Sequence, residues 1–258
     1  MDTVKAAPVI EPHALAERFA VAARAGGFNA DRFGLVRGYP LLALTKPAPT
    51  DGRPSVYLSA GIHGDEPAAP LALLRLLEAG TLDARASWYL CPLLNPTGLA
   101  AGTRENAEGV DLNRDYRHGA TIEVAAHVAW LRRQPAFAFT LCLHEDWEAK
   151  GFYVYELNPE NRQSLAAQMI AAAAEVGPID PSEVIDGRPA AGGIIRPADD
   201  PAARERWPEA IYLRAHHTTL SYTLESASSL PLEKRVAALS RTAEAALRQA
   251  LGDRSSQI

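Results

Sequence analysis

A histidine and a glutamate lie shortly after an apolar run that is typical of a buried strand. The run PSVYLSAG at 54–61 is followed by His63 and Glu66, and side chains of these two types three residues apart can both reach one metal ion. Because Pro67 disfavours a helical backbone at Glu66, that carboxylate is free to turn toward the histidine. The pair has a second interpretation, an exposed histidine beside a carboxylate that caps the following helix.

A second histidine follows another apolar run. His144 comes after FAFTLCL at 137–143, and with His63 and Glu66 it makes a set of two imidazoles and one carboxylate at converging strand ends. Three protein ligands with an open fourth position are typical of catalytic zinc, whereas structural zinc usually has four ligands. The set therefore predicts a catalytic site that holds one Zn²⁺ ion.

A third strand end and an acidic cluster supply further carboxylates. Glu225 follows TTLSYTL at 218–224, where it could take a proton from a water molecule activated by the metal; the alternative is a solvated glutamate in a turn. Glu145, Asp146 and Glu148 lie beside the second histidine. These three could orient that histidine or hold a second metal ion, or they could form a solvated loop.

Six short motifs occur in order along the chain. The segment 95–118, which holds three of them, is polar and lacks both helical and strand periodicity, which is typical of a functional loop. The motifs are HGDE at 63–66, NPTG at 95–98, TREN at 103–106, GVDLNRDY at 109–116, His144, and LES around Glu225. In order and spacing this set resembles the zinc carboxypeptidase family (the carboxypeptidase A-like metallopeptidases), near the succinylglutamate desuccinylase/aspartoacylase branch.

The resemblance implies a metal centre and a base. His63, Glu66 and His144 would bind a single zinc ion, and Glu225 would act as general base and then as general acid. Zinc lowers the pKa of a bound water molecule to about 7 in such sites, which is the chemistry that a neighbouring carboxylate base requires.

The resemblance also implies how a substrate is held. Arg104 would polarise the scissile carbonyl and stabilise the oxyanion. Asn113 and Arg114 would hold a free carboxylate of the substrate, for which the planar guanidinium is suited.

Members of the family usually carry a tyrosine on a mobile loop after a Gly-Gly pair. Here the pair at 192–193 is followed by no tyrosine before Tyr212, so either the family tyrosine is absent or Tyr212 replaces it.

The implied activity is that of a zinc-dependent metallocarboxypeptidase-like hydrolase, which cleaves an amide bond next to a residue with a free carboxylate. One alternative is an N-acyl amino acid deacylase of the succinylglutamate desuccinylase/aspartoacylase type. A second alternative is a non-catalytic peptide-binding module that has kept the fold. The expected partner is accordingly a small peptide or an N-acyl amino acid.

The elements that must position these residues alternate between strands and helices. Such alternation predicts an α/β fold, a three-layer α/β/α arrangement with a mixed, largely parallel central sheet. The resemblance implies that residues 1–258 form one zinc carboxypeptidase-like catalytic domain. Ligands bind outside the carboxyl ends of the strands in sheets of this kind. The predicted helices are 12–25, 67–79, 121–133, 160–175 and 231–250; the predicted strands are 54–61, 87–91, 137–143, 151–157 and 218–224, with 33–45 extended and 178–210 a long loop.

Composition excludes several classes of protein. The chain has 258 residues, of which 47% are hydrophobic and 22% charged, and a formal net charge of −5. The apolar content excludes a disordered chain, the absence of a basic stripe argues against a nucleic-acid partner, and no run of about 20 apolar residues predicts a membrane span. Two cysteines exclude a disulfide framework, and the N-terminus lacks an apolar signal region, so a cytoplasmic location is expected.

Overall fold

The computed structural model describes residues 10–197 and 203–253. The first helix begins where the Glu11 carboxylate accepts hydrogen bonds from the backbone N–H groups of His13 and Ala14, which is N-capping. The α-helices of the described ranges are α1 (Pro12–Ala25), α2 (Ala68–Glu78), α3 (Pro96–Ala101), α4 (Ile122–Leu131), α5 (Ala166–Ala174), α6 (Glu209–His216) and α7 (Leu232–Leu251). Each of the five predicted helices is present, α1 with the predicted bounds and α5 beginning six residues later than predicted, whereas α3 and α6 were not predicted.

One mixed sheet contains the strands. The strands are β1 (Asn29–Val36), β2 (Tyr39–Lys46), β3 (Ser55–Ser59), β4 (Ser87–Cys91), β5 (Phe139–Asp146), β6 (Tyr153–Leu157), β7 (Val184–Ile185), β8 (Arg188–Ala191), β9 (Ile194–Ile195) and β10 (Ser221–Ala227). Their order across the sheet is β1-β2-β4-β3-β5-β10-β6-β9-β8-β7.

Parallel pairing is concentrated in the centre of the sheet. Strands β4, β3, β5 and β10 run parallel to one another, and the long connections between them carry the helices that parallel strands require. Outside this group the pairing is antiparallel, except between β6 and β9. The predicted mixed sheet is therefore confirmed, with its parallel part at the centre and antiparallel strands on both flanks.

The helices cover both faces of the sheet. On one face, α1, α2, α5 and α7 pack against a core that includes Leu58, Leu141 and Leu224. On the other face, α4 and α6 pack against a core that includes Tyr57 and Cys142. Neighbouring residues of a strand point to opposite faces, so Tyr57 and Leu58 serve different layers. This is the predicted three-layer α/β/α arrangement.

Three segments differ from expectation. The extended segment 33–45 is part of a hairpin, β1–β2, whose turn places Arg37 at φ 48° and Gly38 at φ 90°. The expected loop 95–118 contains α3, which Asn95 caps by accepting from the N–H of Gly98 at 2.8 Å. The expected loop 178–210 contains the three short strands β7–β9 and the start of α6, and residues 198–202 of it lie outside the described residues.

No helix within the described ranges combines the length and the apolar character that crossing a membrane would require.

Candidate active site

A cleft of about 680 Å³ lies at the carboxyl ends of the central strands. This is where ligands are expected in a sheet of this kind. Its wall includes all the site residues proposed from the sequence: His63, Glu66, Arg104, Asn113, Arg114, His144 and Glu225.

Two histidines and a glutamate meet inside the cleft. The Nδ1 atom of His63 lies 2.5 Å from Oε1 of Glu66, and Nδ1 of His144 lies 2.9 Å from Oε2 of the same carboxylate. All three side chains are buried, and one ligand atom of each falls within 4.8 Å of the others. Two imidazole nitrogens and a carboxylate oxygen are a donor set that suits zinc. The structure thus brings the predicted ligands together.

A glycine contact positions the loop that carries two of these ligands. A Cβ atom added to Gly64 would lie 1.9 Å from the carbonyl carbon of Gly98 in α3, so only glycine permits this backbone approach. Gly98 is equally confined, because its own added Cβ would lie 2.6 Å from the carbonyl oxygen of Glu105. The HGDE, NPTG and TREN motifs are therefore packed directly on one another.

The charges of the three-residue group depend on one another. Burial disfavours the charged carboxylate of Glu66, but the neighbouring imidazoles of His63 and His144 outweigh burial and lower its pKa to about 2. Burial also disfavours a charged His63, yet Glu66 and Asp111 raise its pKa to about 9. Without a metal ion, Glu66 is therefore a carboxylate and His63 a protonated imidazole at neutral pH.

Asp111 is a site residue that the sequence reasoning did not single out. Its Oδ1 accepts from Nε2 of His63 at 3.2 Å, and its Oδ2 accepts from Nε of Arg104 at 3.1 Å. A carboxylate on the far nitrogen of a ligating histidine fixes the orientation of the ring, and here the same carboxylate also orients the guanidinium. Asp111 belongs to the DLNR motif, but the motif alone does not show that this carboxylate contacts His63, 48 residues away.

Glu225 lies beside His144, although neither residue ends its strand as predicted. Glu225 lies within β10 and His144 within β5, because these parallel strands continue to pair beyond the end of β3. The two residues are in register with each other. The Oε2 atom of Glu225 is buried and has no hydrogen-bond partner in the described part of the chain. Burial raises the pKa of this carboxyl well above its ordinary value.

Asn113 and Arg114 lie in a short 3₁₀ helix, Leu112–Arg114. The side-chain oxygen of Asn113 accepts from the backbone N–H of Glu209, the first residue of α6, at 2.8 Å. The guanidinium of Arg114 is exposed at the cleft, where Nη1 donates to the carbonyl of Asn113. No carboxylate lies within 4 Å of it in residues 10–197 and 203–253. Asn113 thus ties the loop to α6, and the charge of Arg114 remains available.

A buried polar network, which the sequence reasoning missed, lies beneath this loop. The carboxylate of Glu209 accepts from the hydroxyls of Tyr57 at 2.7 Å and Ser59 at 2.8 Å. His127 lies between two tyrosines, with Nε2 3.0 Å from the Tyr57 hydroxyl and Nδ1 2.7 Å from that of Tyr116. Burial lowers the pKa of His127 to about 3, so its ring is neutral and serves as a structural bridge.

Tyr212 does not reach the cleft. Its ring packs on Tyr116 and His217 in the core of the α4–α6 face, and 5% of the residue is exposed. The tyrosines that line the cleft are instead Tyr153 and Tyr155 of β6.

The acidic cluster after His144 is dispersed. Glu145 is buried and pairs with Arg235, Asp146 accepts from the hydroxyl of Tyr153 at 2.9 Å, and Glu148 is exposed. Among the described residues, the group of three ligands that could hold a metal is the His–Glu–His group alone. The cluster is therefore not a second metal site in the described structure.

Comparison with known proteins gives relatives of two kinds. Murein peptide amidase A of Escherichia coli K12 is 39% identical over 79 residues, which is 31% of this chain and 31% of that protein. Carboxypeptidase SOL1 of Arabidopsis thaliana is 32% identical over 95 residues, which is 31% of this chain and 19% of that protein. The matched stretches thus span less than a third of each curated relative.

The fold is shared over almost the whole chain. The crystal structure of a candidate metallopeptidase from Shewanella amazonensis SB2B superposes with a TM-score of 0.82 at 24% identity, covering 93% of this chain and 94% of that one. The family model of the succinylglutamate desuccinylase/aspartoacylase catalytic domain matches residues 52–180, which is half of the chain. The resemblance to zinc carboxypeptidases near this branch is confirmed, and the protein belongs to the succinylglutamate desuccinylase/aspartoacylase catalytic-domain family.

Proposed function

We propose that the protein is a zinc-dependent hydrolase that cleaves an amide bond next to a residue with a free carboxylate. The observation that carries this proposal is the convergence of His63, Glu66 and His144 with the carboxylate of Glu225 in register beside them. These groups are a donor set for one Zn²⁺ ion and a base placed next to it. The family match and the curated relatives support a hydrolase of this general type.

The catalytic steps follow from the chemistry of the residues. When bound, a zinc ion would polarise the scissile carbonyl and lower the pKa of a water molecule to about 7. Glu225 takes the proton of the attacking water and passes it to the leaving amine as the C–N bond breaks. Arg104, oriented by Asp111, donates to the oxygen on which negative charge develops.

Arg114 supplies recognition of the free carboxylate. Its guanidinium lies at the cleft without a carboxylate partner in the described structure, and a guanidinium binds a carboxylate through two parallel hydrogen bonds. The loop that carries Arg114 is held on α6 through Asn113. The arrangement therefore selects substrates with a carboxylate close to the scissile amide.

A small peptide is the substrate that we favour. Both curated relatives carry names of enzymes that act on peptides, a murein peptide amidase and a carboxypeptidase. The family model favours the second candidate, deacylation of an N-acyl amino acid. A non-catalytic peptide-binding module is disfavoured, because binding alone does not require a base such as Glu225 beside the metal ligands.

The test is the Glu225→Gln variant of the zinc-loaded protein. Loss of the base should lower kcat by a factor of about 10²–10⁴ on the best substrate from a panel of free-carboxylate peptides and N-acyl amino acids. Zinc content, measured by elemental analysis, should not change. Glu17→Gln, the same change at an exposed position of α1, is the control. Normal turnover by Glu225→Gln would overturn the mechanism, and turnover of N-acyl amino acids alone would select the second candidate.

A further inference from the structure

Glu145 follows a proposed metal ligand but faces the other way. Neighbouring residues of a strand point to opposite faces of the sheet, so His144 points into the cleft and Glu145 points toward α2 and α7. Glu145 is 4% exposed, and a carboxylate is rarely buried to this degree unless it is paired. Its surroundings therefore require an explanation.

The carboxylate of Glu145 caps the helix that follows Glu66. Helix α2 has a proline at its N-cap, Pro67, and no side-chain cap of its own. Oε1 of Glu145 accepts from the backbone N–H of Ala68, the first residue of that helix, at 2.5 Å. A carboxylate at a helix N-terminus satisfies an unpaired N–H group and interacts favourably with the helix dipole. The cap that α2 lacks locally thus comes from a strand 77 residues away.

The backbone of Glu145 holds Glu66 in return. Its N–H group donates to Oε2 of Glu66 at 3.1 Å, and that oxygen is also 2.9 Å from Nδ1 of His144. Glu145 therefore contacts the chain at Glu66 and again two residues later at Ala68. The contact with Oε2 fixes the direction of the Glu66 carboxylate. The contact with Ala68 fixes the position of the backbone just after Glu66.

Arg235 neutralises the buried carboxylate. It donates to Oε2 of Glu145 from the first turn of α7 and is 8% exposed. A cation is unfavourable at the N-terminus of a helix, and Nε of Arg235 has no hydrogen-bond partner in the described ranges. The position of Arg235 is thus unfavourable for its own helix, and its pairing with Glu145 is what compensates.

We propose that Glu145, held by Arg235, is a positioning residue that fixes Glu66 beside His144 and thereby sets the affinity of the site for its metal ion. The inference rests on the proposed function, because it takes Glu66 and His144 to be metal ligands. Groups that orient the ligands of a metal typically change its affinity by a factor of about 10–100 when they are removed.

Two double variants separate the hydrogen bond from the charge. The buried ion pair is removed both in Glu145→Gln/Arg235→Met and in Glu145→Leu/Arg235→Met, with side chains of similar volume. Only the glutamine can still accept a hydrogen bond from the backbone N–H of Ala68. We expect zinc affinity, measured by competition with a chromophoric chelator, to stay within about threefold of wild type with glutamine and to fall about 10- to 100-fold with leucine. Equal affinities in the two double variants would overturn the proposal.

Controls keep the outcome interpretable. Arg18→Met/Glu78→Leu removes an exposed Arg–Glu pair at the other end of α2 and should leave zinc affinity unchanged. Should the leucine variant not fold, as judged by circular dichroism, Glu145→Asp retains the charge but shortens the reach to Ala68 and should weaken zinc binding; wild-type affinity in that variant would overturn the proposal.

Glu66→Ala tells the two hypotheses apart. Unchanged zinc binding in Glu66→Ala would refute the metal site itself, and the positioning role with it. Loss of zinc binding in Glu66→Ala, together with unchanged binding in the Glu145→Leu double variant, would refute the positioning role alone.

Discussion

At the scale of single residues, the cleft contains arginines held in two different ways. Arg104 is bound to Asp111 and lies 3.8 Å from Glu66, which directs its guanidinium toward the proposed metal site. Arg114 is bound only to a backbone carbonyl in the described structure and is exposed. The first arrangement suits stabilisation of charge that develops during reaction, and the second suits capture of a charge that the substrate already carries.

Arg114→Ala should therefore affect binding more than turnover. For peptides with a free C-terminal carboxylate, we expect KM to rise about 10- to 100-fold, the loss expected for hydrogen bonds to a charged group, with a smaller change in kcat. Peptides with an amidated C-terminus should show little change in KM. Arg133→Ala, which removes another arginine that donates to a backbone carbonyl, is the control. Equal effects on free and amidated peptides would exclude carboxylate recognition by Arg114.

The site residues could be chosen from the sequence, but their partners could not. His63, Glu66 and His144 stand out because histidine and glutamate follow apolar runs that are typical of strands. The structure brings the three side chains within reach of one ion. The partners that orient them are distant in sequence: Asp111 is 48 residues from His63, and Arg235 is 90 residues from Glu145. Such contacts depend on how elements pack, and no local pattern encodes them.

At the scale of elements, periodicity predicted the long segments and failed for the short ones. α1 was predicted with its observed bounds, because its apolar spacing is helical and two glycines follow it. The strands β7 and β9 have two residues each, too few to show alternation. Helix α5 begins at Ala166 and not at 160, because Asn158 both accepts from and donates to the backbone of Arg162 and closes a turn there.

The contact between Gly64 and α3 should tolerate no side chain. The added Cβ of Gly64→Ala would meet backbone atoms of Gly98 at 1.9 Å, and no side-chain rotation can relieve a backbone contact. We expect a loss of unfolding free energy of about 1–3 kcal/mol or more. Zinc binding should also weaken, because the loop that carries His63 and Glu66 must move. The matched control is Gly177→Ala, whose Cβ would be 3.6 Å from its nearest neighbour, Leu230. Urea unfolding that gives equal stabilities for the two variants would contradict this packing argument.

At the scale of the whole molecule, the sheet determines where the chemistry lies. Strands β5 and β10 pair in register beyond the end of β3, so His144 and Glu225 lie side by side past that end, where the loop that carries His63 and Glu66 follows β3. The alternation of strands and helices was sufficient to predict the layers and the end of the sheet at which the cleft lies. The antiparallel flanks were not predictable, because the direction of a neighbouring strand depends on its connection and not on its own composition.

One buried group links the stability of the whole metal-free molecule to pH. Burial disfavours protonated His63, but Glu66 and Asp111 raise its pKa to about 9, from an ordinary value of 6.5. When a pKa is higher in the folded than in the unfolded state, the protonated form favours folding. The contribution of His63 to stability is therefore complete below pH 6.5 and is lost as the pH rises through about 9.

The stabilisation that zinc adds should depend on pH in the opposite direction. Zinc binds neutral imidazole, so its affinity rises by up to about tenfold per pH unit while His63 loses its proton, and each tenfold adds about 1.4 kcal/mol of stability. We expect the difference in Tm between protein with one equivalent of zinc and protein with a chelator to widen from pH 6.5 to about 9. The difference should vanish in His63→Ala. A difference that stays constant or narrows over this range would show that zinc does not displace a proton from His63.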